Sequence, residues 1–148
     1  LILLLAELAG FHEKQSAQNK RNAKYAYSTS VYVELAIEYI QETYHQGIGI
    51  SDIAGNIGIS RAYLNSAFQK ELGMSAQNFL INYKMHKAAN LLVSTSKSVK
   101  EVSNSVGYED QLVFSKAFKK KFGMSPKNYK THKEMMDKYN EKQTDDPV

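Results

Sequence analysis

Lysine side chains are the chemically active groups that this chain concentrates in one place. Residues 84–133 carry eleven Lys against three acidic residues, a net charge of +8, whereas the whole 148-residue chain carries +4. A charge confined in this way attracts a polyanion. Nucleic acid is favoured over a membrane surface because the sequence around the lysines has no free apolar face. The chemistry that these residues predict is therefore contact with a phosphate backbone.

Residues suited to catalysis or metal binding are scarce. The absence of Cys excludes disulfides, thiolate metal sites, cysteine nucleophiles and the alkyl transfer that some DNA-repair proteins carry out on a cysteine. No histidine has a carboxylate or a second histidine at the spacing of a metal site or a catalytic triad. The four are His12, His45, His86 and His132. We therefore expect no enzyme activity, no metal and no cofactor.

The lysine-rich segment contains the second copy of an internal repeat. Residues 105–129 repeat residues 56–79 imperfectly, with one extra residue between the glycine and the phenylalanine of the downstream copy. The repeat predicts two similar small units that perform the same task. Equivalent positions are Gly58 and Gly107, Phe68 and Phe118, and the Gly-Met-Ser triplets 73–75 and 123–125.

Apolar residues at helical spacing, separated by capping residues and glycines, predict an all-α fold. Ser60, Asp110 and Ser125 are each placed to cap the helix that follows, and Ser98 with Glu101 forms a capping box. In each copy, two helices joined by a short glycine-containing turn make a helix-turn-helix pattern. The predicted helices cover about residues 30–45, 50–56, 61–72, 76–92, 99–105, 111–122 and 126–138.

The predicted organisation is two helix-turn-helix units, at residues 30–75 and 95–139, joined by a long linker helix at residues 76–94. Residues 140–148 are polar and acidic and are expected to form a flexible tail. The segment before the first unit, residues 1–29, is interpreted as the remnant of an N-terminal or dimerisation region followed by a linker.

The first residues of the chain form an apolar stripe at helical spacing, which predicts an N-terminal apolar helix. The stripe belongs either to the core of a missing domain or to a homodimer contact. It is too short to span a bilayer and lacks the basic region of a signal peptide, so we expect no membrane association and a cytoplasmic location. Because the sequence does not begin with Met, we expect a longer protein. The stripe consists of Leu1, Leu4, Leu5 and Leu8.

The second helix of each pattern is the one expected to contact DNA bases, because an α-helix fits the major groove and its N-terminal half faces the base edges. Asn65 and Gln111 are candidates for contacts to adenine, and Leu112 and Val113 for contacts to thymine methyl groups. Alternatively, the polar pair is solvated and one of the apolar pair packs against Tyr108 or a neighbouring helix. The predicted base-contacting residues are Arg61, Ala62, Asn65, Ser66 and Gln69 upstream, and Gln111, Leu112, Val113, Ser115 and Lys116 downstream.

A further group of residues is predicted to contact phosphates. The lysine run at the end of the second recognition helix is assigned to phosphates rather than to a solvated face because of its place beside that helix. Hydroxyls and backbone amides at helix N-termini suit the same role. Such contacts position a protein on DNA without distinguishing its sequence. The predicted residues are Lys84, Thr95, Ser98, Lys119, Lys120, Lys121, Ser125 and Lys127.

Residues 49–130 resemble the C-terminal DNA-binding domain of AraC/XylS-type transcription regulators. The downstream residues that carry the resemblance are Val99, Glu101, Val102, Val106, Gly107, Tyr108, Asp110, Phe114, Ser115, Phe118, Lys119, Lys120, residues 122–126 and Tyr129. The upstream ones are Tyr63, Leu64, Phe68, Gly73 and Ser75. Four residues differ from those usual in the family, namely Lys84, Ser103, Tyr108 and Lys130.

The resemblance implies two recognition helices that enter successive major grooves on one face of the DNA. It also implies a separate N-terminal domain for effector binding or dimerisation, RNA polymerase as a partner at the promoter, and activation of an operon, often one for sugar utilisation. The competing interpretation is a helical protein-interaction module whose basic face meets an acidic protein. Two recognition helices with matching short turns favour double-stranded promoter DNA instead.

Overall fold

The computed structural model describes residues 27–144. They contain seven α-helices and one short 3-10 turn, joined by loops. No strand occurs among them, which confirms the all-α prediction. The predicted N-terminal apolar helix lies outside the described residues. In chain order the helices are α1 (Thr29–Thr43), α2 (Ile50–Ile57), α3 (Arg61–Leu72), α4 (Ala76–Ser94), α5 (Val99–Ser105), α6 (Gln111–Phe122) and α7 (Pro126–Thr144), and the 3-10 turn is Tyr44–Gln46.

The last helix continues well beyond the residue at which the sequence predicted its end. The prediction placed that end near Lys138, whereas α7 continues to Thr144. Its second half is rich in Lys, Glu and Met, which favour helix, and the Lys133 ammonium lies 3.1 Å from the Asp137 carboxylate one turn away. The ion pair lies within the predicted helix, and helix propensity accounts for the extension beyond it.

The described chain divides into two units. The first comprises residues 27–44 and 48–80, and the second comprises residues 45–47 and 81–144. The boundary falls inside α4, between Leu80 and Ile81, so this helix contributes to both. The finer division predicted from the sequence stays a prediction.

The core of the first unit is built where α1 packs on α2 and α3. The ring of Phe68 is fully buried and lies edge-on to Phe79, with 5.4 Å between the ring centroids. The Thr29 hydroxyl donates a hydrogen bond to the Glu71 carboxylate and so joins the start of α1 to the end of α3. The other fully buried aliphatic side chains include Val33, Ile37, Ile40, Ile53 and Leu64.

The core of the second unit is mainly aromatic. Phe118 is fully buried and its ring contacts those of Phe114, Phe122 and Tyr129. Because α6 provides three of these rings and α7 the fourth, the cluster fixes how the two helices pack. Other fully buried apolar side chains of this unit include Met85, Leu92, Val102 and Val106.

Candidate nucleic-acid interface

The first helix-turn-helix is formed by α2, α3 and the three residues between them. Gly58 ends α2 with a φ of 75°, a left-handed conformation that glycine adopts without steric cost. Ile59 is buried, and the Ser60 hydroxyl oxygen accepts a hydrogen bond from the backbone N–H of Tyr63 at 3.1 Å. The turn is thus held by a glycine, an apolar anchor and a helix cap, which together fix the N-terminal end of α3.

The second helix-turn-helix is formed by α5, residues 106–110 and α6. Gly107 has a φ of 81°. The backbone N–H of Tyr108 donates to the carbonyl of Ser103 at 3.0 Å, and the Tyr108 ring lies edge-on to Phe114, with 5.6 Å between the ring centroids. The turn is therefore joined both to the helix before it and to the core face of the helix after it.

The N-terminal end of α6 is fixed by its cap. The Asp110 carboxylate accepts hydrogen bonds from the backbone N–H groups of Leu112 at 2.8 Å and Val113 at 3.4 Å. The side chains of these two residues are nevertheless 72% and 53% exposed, while the next residue, Phe114, is fully buried. Neither side chain is therefore buried in the core of the unit. Both remain available to a partner.

The predicted base-contacting residues lie on the solvent side of α3 and α6. All five on α3 are exposed, and so are four of the five on α6, the exception being Ser115, which is half-buried. Exposure makes contact with a partner feasible without assigning it, so their roles as base contacts stay predictions. The exposed residues are Arg61, Ala62, Asn65, Ser66 and Gln69 on α3, and Gln111, Leu112, Val113 and Lys116 on α6.

Asn65 has a structural role that its sequence position did not indicate. Its side-chain oxygen accepts a hydrogen bond from the backbone N–H of Ala76, the first residue of α4, at 3.3 Å. An oxygen held in this way is less free to bond adenine, which leaves the amide nitrogen for an outside partner. Together with Arg61 and Gln77, Asn65 lines an open depression beside the first half of α3.

The residues predicted to contact phosphates, apart from Lys84, are arranged as follows. Lys119, Lys120, Lys121 and Lys127 are all exposed. The first three occupy the last turn of α6, where positive charge also complements the helix dipole. Ser98 and Ser125 cap α5 and α7 by accepting backbone N–H groups, while the Thr95 hydroxyl donates to the carbonyl of Leu91 at 2.6 Å. The two cap hydroxyls keep a proton that could still be donated to a phosphate.

Burial, followed by the positive charge of Lys121, lowers the pKa of His86. The imidazole ring lies edge-on to Phe122, with 5.7 Å between the ring centroids. Because the ordinary pKa of histidine is already near 6.5, His86 is neutral at pH 7. The positive charge in this part of the second unit therefore comes from lysines.

Lys84 is the one lysine among the predicted phosphate contacts that the fold buries. Its side chain is only 6% exposed, and the ammonium group lies over the Tyr108 ring, 5.3 Å from the ring centroid. Burial lowers the pKa of this amine. In this position the ammonium is less accessible to a DNA phosphate than the exposed lysines of α6, and its role as a phosphate contact stays a prediction.

The sequence contained a signal for the burial of Lys84. It lies four residues after Leu80 and four before Ala88, two apolar residues that are buried in this helix, so helical periodicity places it on the same face. A lysine of α7 also makes a contact within the protein. Lys130 donates from its ammonium to the carbonyl of Lys97 at 3.1 Å.

Residues 27–144 hold neither a metal site nor a membrane span. No group of three or more His, Asp or Glu residues in this range lies close enough together to hold a metal ion. None of the helices described there is both long and apolar enough to cross a bilayer.

Residues 53–132 match the model of a family described as a helix-turn-helix domain. The chain is 37% identical over 103 residues to the Msm operon regulatory protein of Streptococcus mutans, an alignment that covers 70% of this chain and 37% of that protein. The chain belongs to the AraC/XylS family of transcription regulators. This finding confirms the resemblance, and because the family is one of DNA-binding regulators and not of enzymes, it also confirms the non-enzyme prediction.

Two further comparisons support the assignment to the AraC/XylS family. The lactose operon transcription activator of Staphylococcus xylosus is 36% identical over 100 residues, covering 68% of this chain and 36% of that protein. The C-terminal domain of AraT, a response regulator from Geobacillus stearothermophilus, has a TM-score of 0.66 at 37% identity and covers 68% of this chain and 84% of that domain. The chain thus spans about a third of the length of the regulators it matches.

Proposed function

We propose that this AraC/XylS-family chain binds double-stranded promoter DNA in a sequence-specific manner through α3 and α6, each in its own major groove. The observation that carries the proposal is the pair of capped helices, α3 and α6, each of which buries one face in its unit and leaves its N-terminal polar residues exposed. A helix presented in this way is what the major groove admits. The exposed lysines at the end of α6 add the phosphate contacts that hold such a helix in register.

The whole regulator is proposed to activate an operon in the cytoplasm, acting with RNA polymerase at the promoter. The regulated operon is proposed to serve sugar utilisation, because one relative is a lactose operon transcription activator. Dimerisation through the apolar stripe of residues 1–8, or through a further N-terminal domain, is part of the same proposal.

The first experiment is selection of bound duplexes from a random pool. Two helices that both contact bases predict a recovered site with two conserved boxes about one helical turn, or roughly 34 Å, apart. Recovery of a single box would reject the use of both units. If no sequence is enriched over the starting pool, sequence-specific binding itself is rejected.

The second experiment separates base contacts from phosphate contacts in the second unit. Gln111→Ala and Lys116→Ala should weaken binding to the selected site far more than binding to random duplex, since both side chains lie early on α6. An equal loss on the two duplexes would remove these residues from base recognition.

The lysine run is tested by the salt dependence of binding. Replacing Lys119, Lys120 and Lys121 together by Gln should reduce the slope of log K against log salt by up to about 0.9 for each phosphate that the variant no longer neutralises. The control replaces three exposed lysines of α7, namely Lys133, Lys138 and Lys142, and so removes the same net charge elsewhere. Equal slopes for the two triple variants would show that the salt dependence of binding reflects net charge alone and not the position of the lysines on α6.

A further inference from the structure

The first turn of α6 exposes two adjacent aliphatic side chains. Leu112 is 72% and Val113 is 53% exposed, whereas the core residues of the same helix, Phe114 and Phe118, are fully buried. Exposed aliphatic surface is unfavourable in water and gains free energy when a partner covers it. Two such side chains side by side are therefore a candidate for recognition of an apolar group.

Their position is fixed before any partner arrives. The Asp110 carboxylate accepts the backbone N–H groups of both residues, so the turn that carries them is capped and held. The chain leaves Asp110 in an extended conformation and enters the helix immediately afterwards. Leu112 and Val113 consequently lie at the end of α6 that faces the base edges when a recognition helix occupies the major groove.

The equivalent residues of the first unit differ in size and burial. Ala62 is exposed but offers a single methyl group. Tyr63 is half-buried, and its ring lies edge-on to Tyr32 with 5.6 Å between the ring centroids. The pair of free aliphatic side chains is therefore a property of the second unit.

The major groove limits what such a pair can recognise. Its base edges present hydrogen-bond donors and acceptors, and the apolar group among them is the C5-methyl of thymine. Cytosine carries the same methyl at the same ring carbon once it is methylated at C5. We infer that Leu112 and Val113 recognise pyrimidine C5-methyl groups, so that the half-site of the second unit contains thymine and also accepts 5-methylcytosine in preference to cytosine. This inference rests on the proposed function, since it requires α6 to occupy a major groove.

The test replaces thymine by uracil in the selected site, one position at a time. Uracil lacks only the C5-methyl and pairs with adenine in the same way. At one or two positions in the half-site of α6, affinity should fall about fourfold, which is the loss of roughly 0.8 kcal/mol for one buried methyl. At the same positions, a 5-methylcytosine–guanine pair should be bound about fourfold more tightly than an unmodified cytosine–guanine pair.

Two protein variants make the test specific. The double variant L112A/V113A should bind thymine and uracil duplexes equally, and because both side chains are exposed its thermal midpoint should match that of the parent. Lys116→Ala should lower affinity for both duplexes while preserving the preference for thymine. A double variant that keeps the full preference for thymine would overturn the inference.

The outcomes separate the inference from the proposed function. If the natural site is bound and uracil changes affinity at no position of this half-site, methyl recognition is rejected while sequence-specific DNA binding stands. If no duplex is enriched in the selection, the proposed function fails and this inference fails with it.

Discussion

Removal of the Phe118 ring tests whether the aromatic cluster holds the second unit together. Phe118 is fully buried, and its ring centroid lies 4.6 Å from that of Phe122, 5.4 Å from Tyr129 and 5.8 Å from Phe114. Truncation to alanine leaves a cavity surrounded by three rings on two helices, which cannot close without moving α6 against α7. A buried Phe→Ala change of this kind costs about 3–5 kcal/mol.

That cost is large compared with the stability of a small domain, about 5–15 kcal/mol. It corresponds to a roughly 10²–10⁴-fold larger population of the opened unit. Hydrogen exchange measured peptide by peptide should therefore accelerate by this factor in α5 and α6. In urea, the unfolding midpoint should fall, and binding to the selected DNA site should weaken because α6 is no longer held.

The matched control is Phe68→Ala, which removes the equivalent fully buried ring of the first unit. Its effect on hydrogen exchange should be largest in α1, α2 and α3. A Phe118→Ala protein with the urea midpoint and exchange rates of the parent would refute the packing argument. So would faster exchange in the first unit than in the second.

Three further predictions concern the ends of α5 and α6 and the buried lysine. Asp110→Ala should lower the unfolding free energy by about 1 kcal/mol because two backbone N–H groups lose their acceptor, whereas Asp110→Asn, which keeps an acceptor, should stay close to the parent in urea denaturation. The hydrogen bond from the backbone N–H of Ser98 holds the pKa of Glu101 below its ordinary value. The ionised carboxylate therefore stabilises the folded state above that ordinary value, and this stabilisation is lost as pH falls through the lowered pKa. Glu101→Gln should therefore flatten the acid limb of stability below about pH 4, as followed by circular dichroism, and an unchanged acid limb would contradict the capping role. Burial lowers the pKa of Lys84, so the folded protein holds this proton less firmly than the unfolded one, and stability should rise as pH approaches the ordinary lysine value of about 10.4. Relative to Lys84→Met, the parent should gain stability as the pH rises toward that ordinary value in urea denaturation, and parallel stability curves for the two proteins would contradict the burial argument.

The boundaries of α6 were predictable because a cap and a glycine mark them. Asp110 and the glycine that follows Phe122 give the limits of α6 to the residue, because a carboxylate acceptor and a positive φ are local properties of the chain. The end of α7 lacks any such signal. It depends on helix propensity summed over several residues, so the prediction stopped six residues short.

The candidate site was predictable to the extent that it depends on helix periodicity. The exposed positions of α3 and α6 follow from the spacing of their buried residues, and the exposure of Leu112 and Val113 agrees with it. Long-range pairing does not follow from spacing. That Lys84 lies over Tyr108, or that Asn65 accepts the first N–H of α4, depends on how separate segments pack in three dimensions.

The two recognition helices differ in charge, and this difference predicts that they contribute unequally to the affinity and to the sequence specificity of DNA binding. The solvent side of α3 carries Arg61 and Lys70, with Glu71 beside them, whereas α6 carries Lys116 followed by the exposed run at 119–121 and no acidic residue. Affinity that does not depend on sequence scales with the number of phosphates neutralised. We therefore expect α6 to provide most of the salt-dependent affinity, and α3, whose exposed residues are mainly neutral and polar, to contribute chiefly to the choice of sequence. In that arrangement the methyl contacts that we infer for Leu112 and Val113 would give the strongly charged helix a sequence preference that its lysines alone cannot supply.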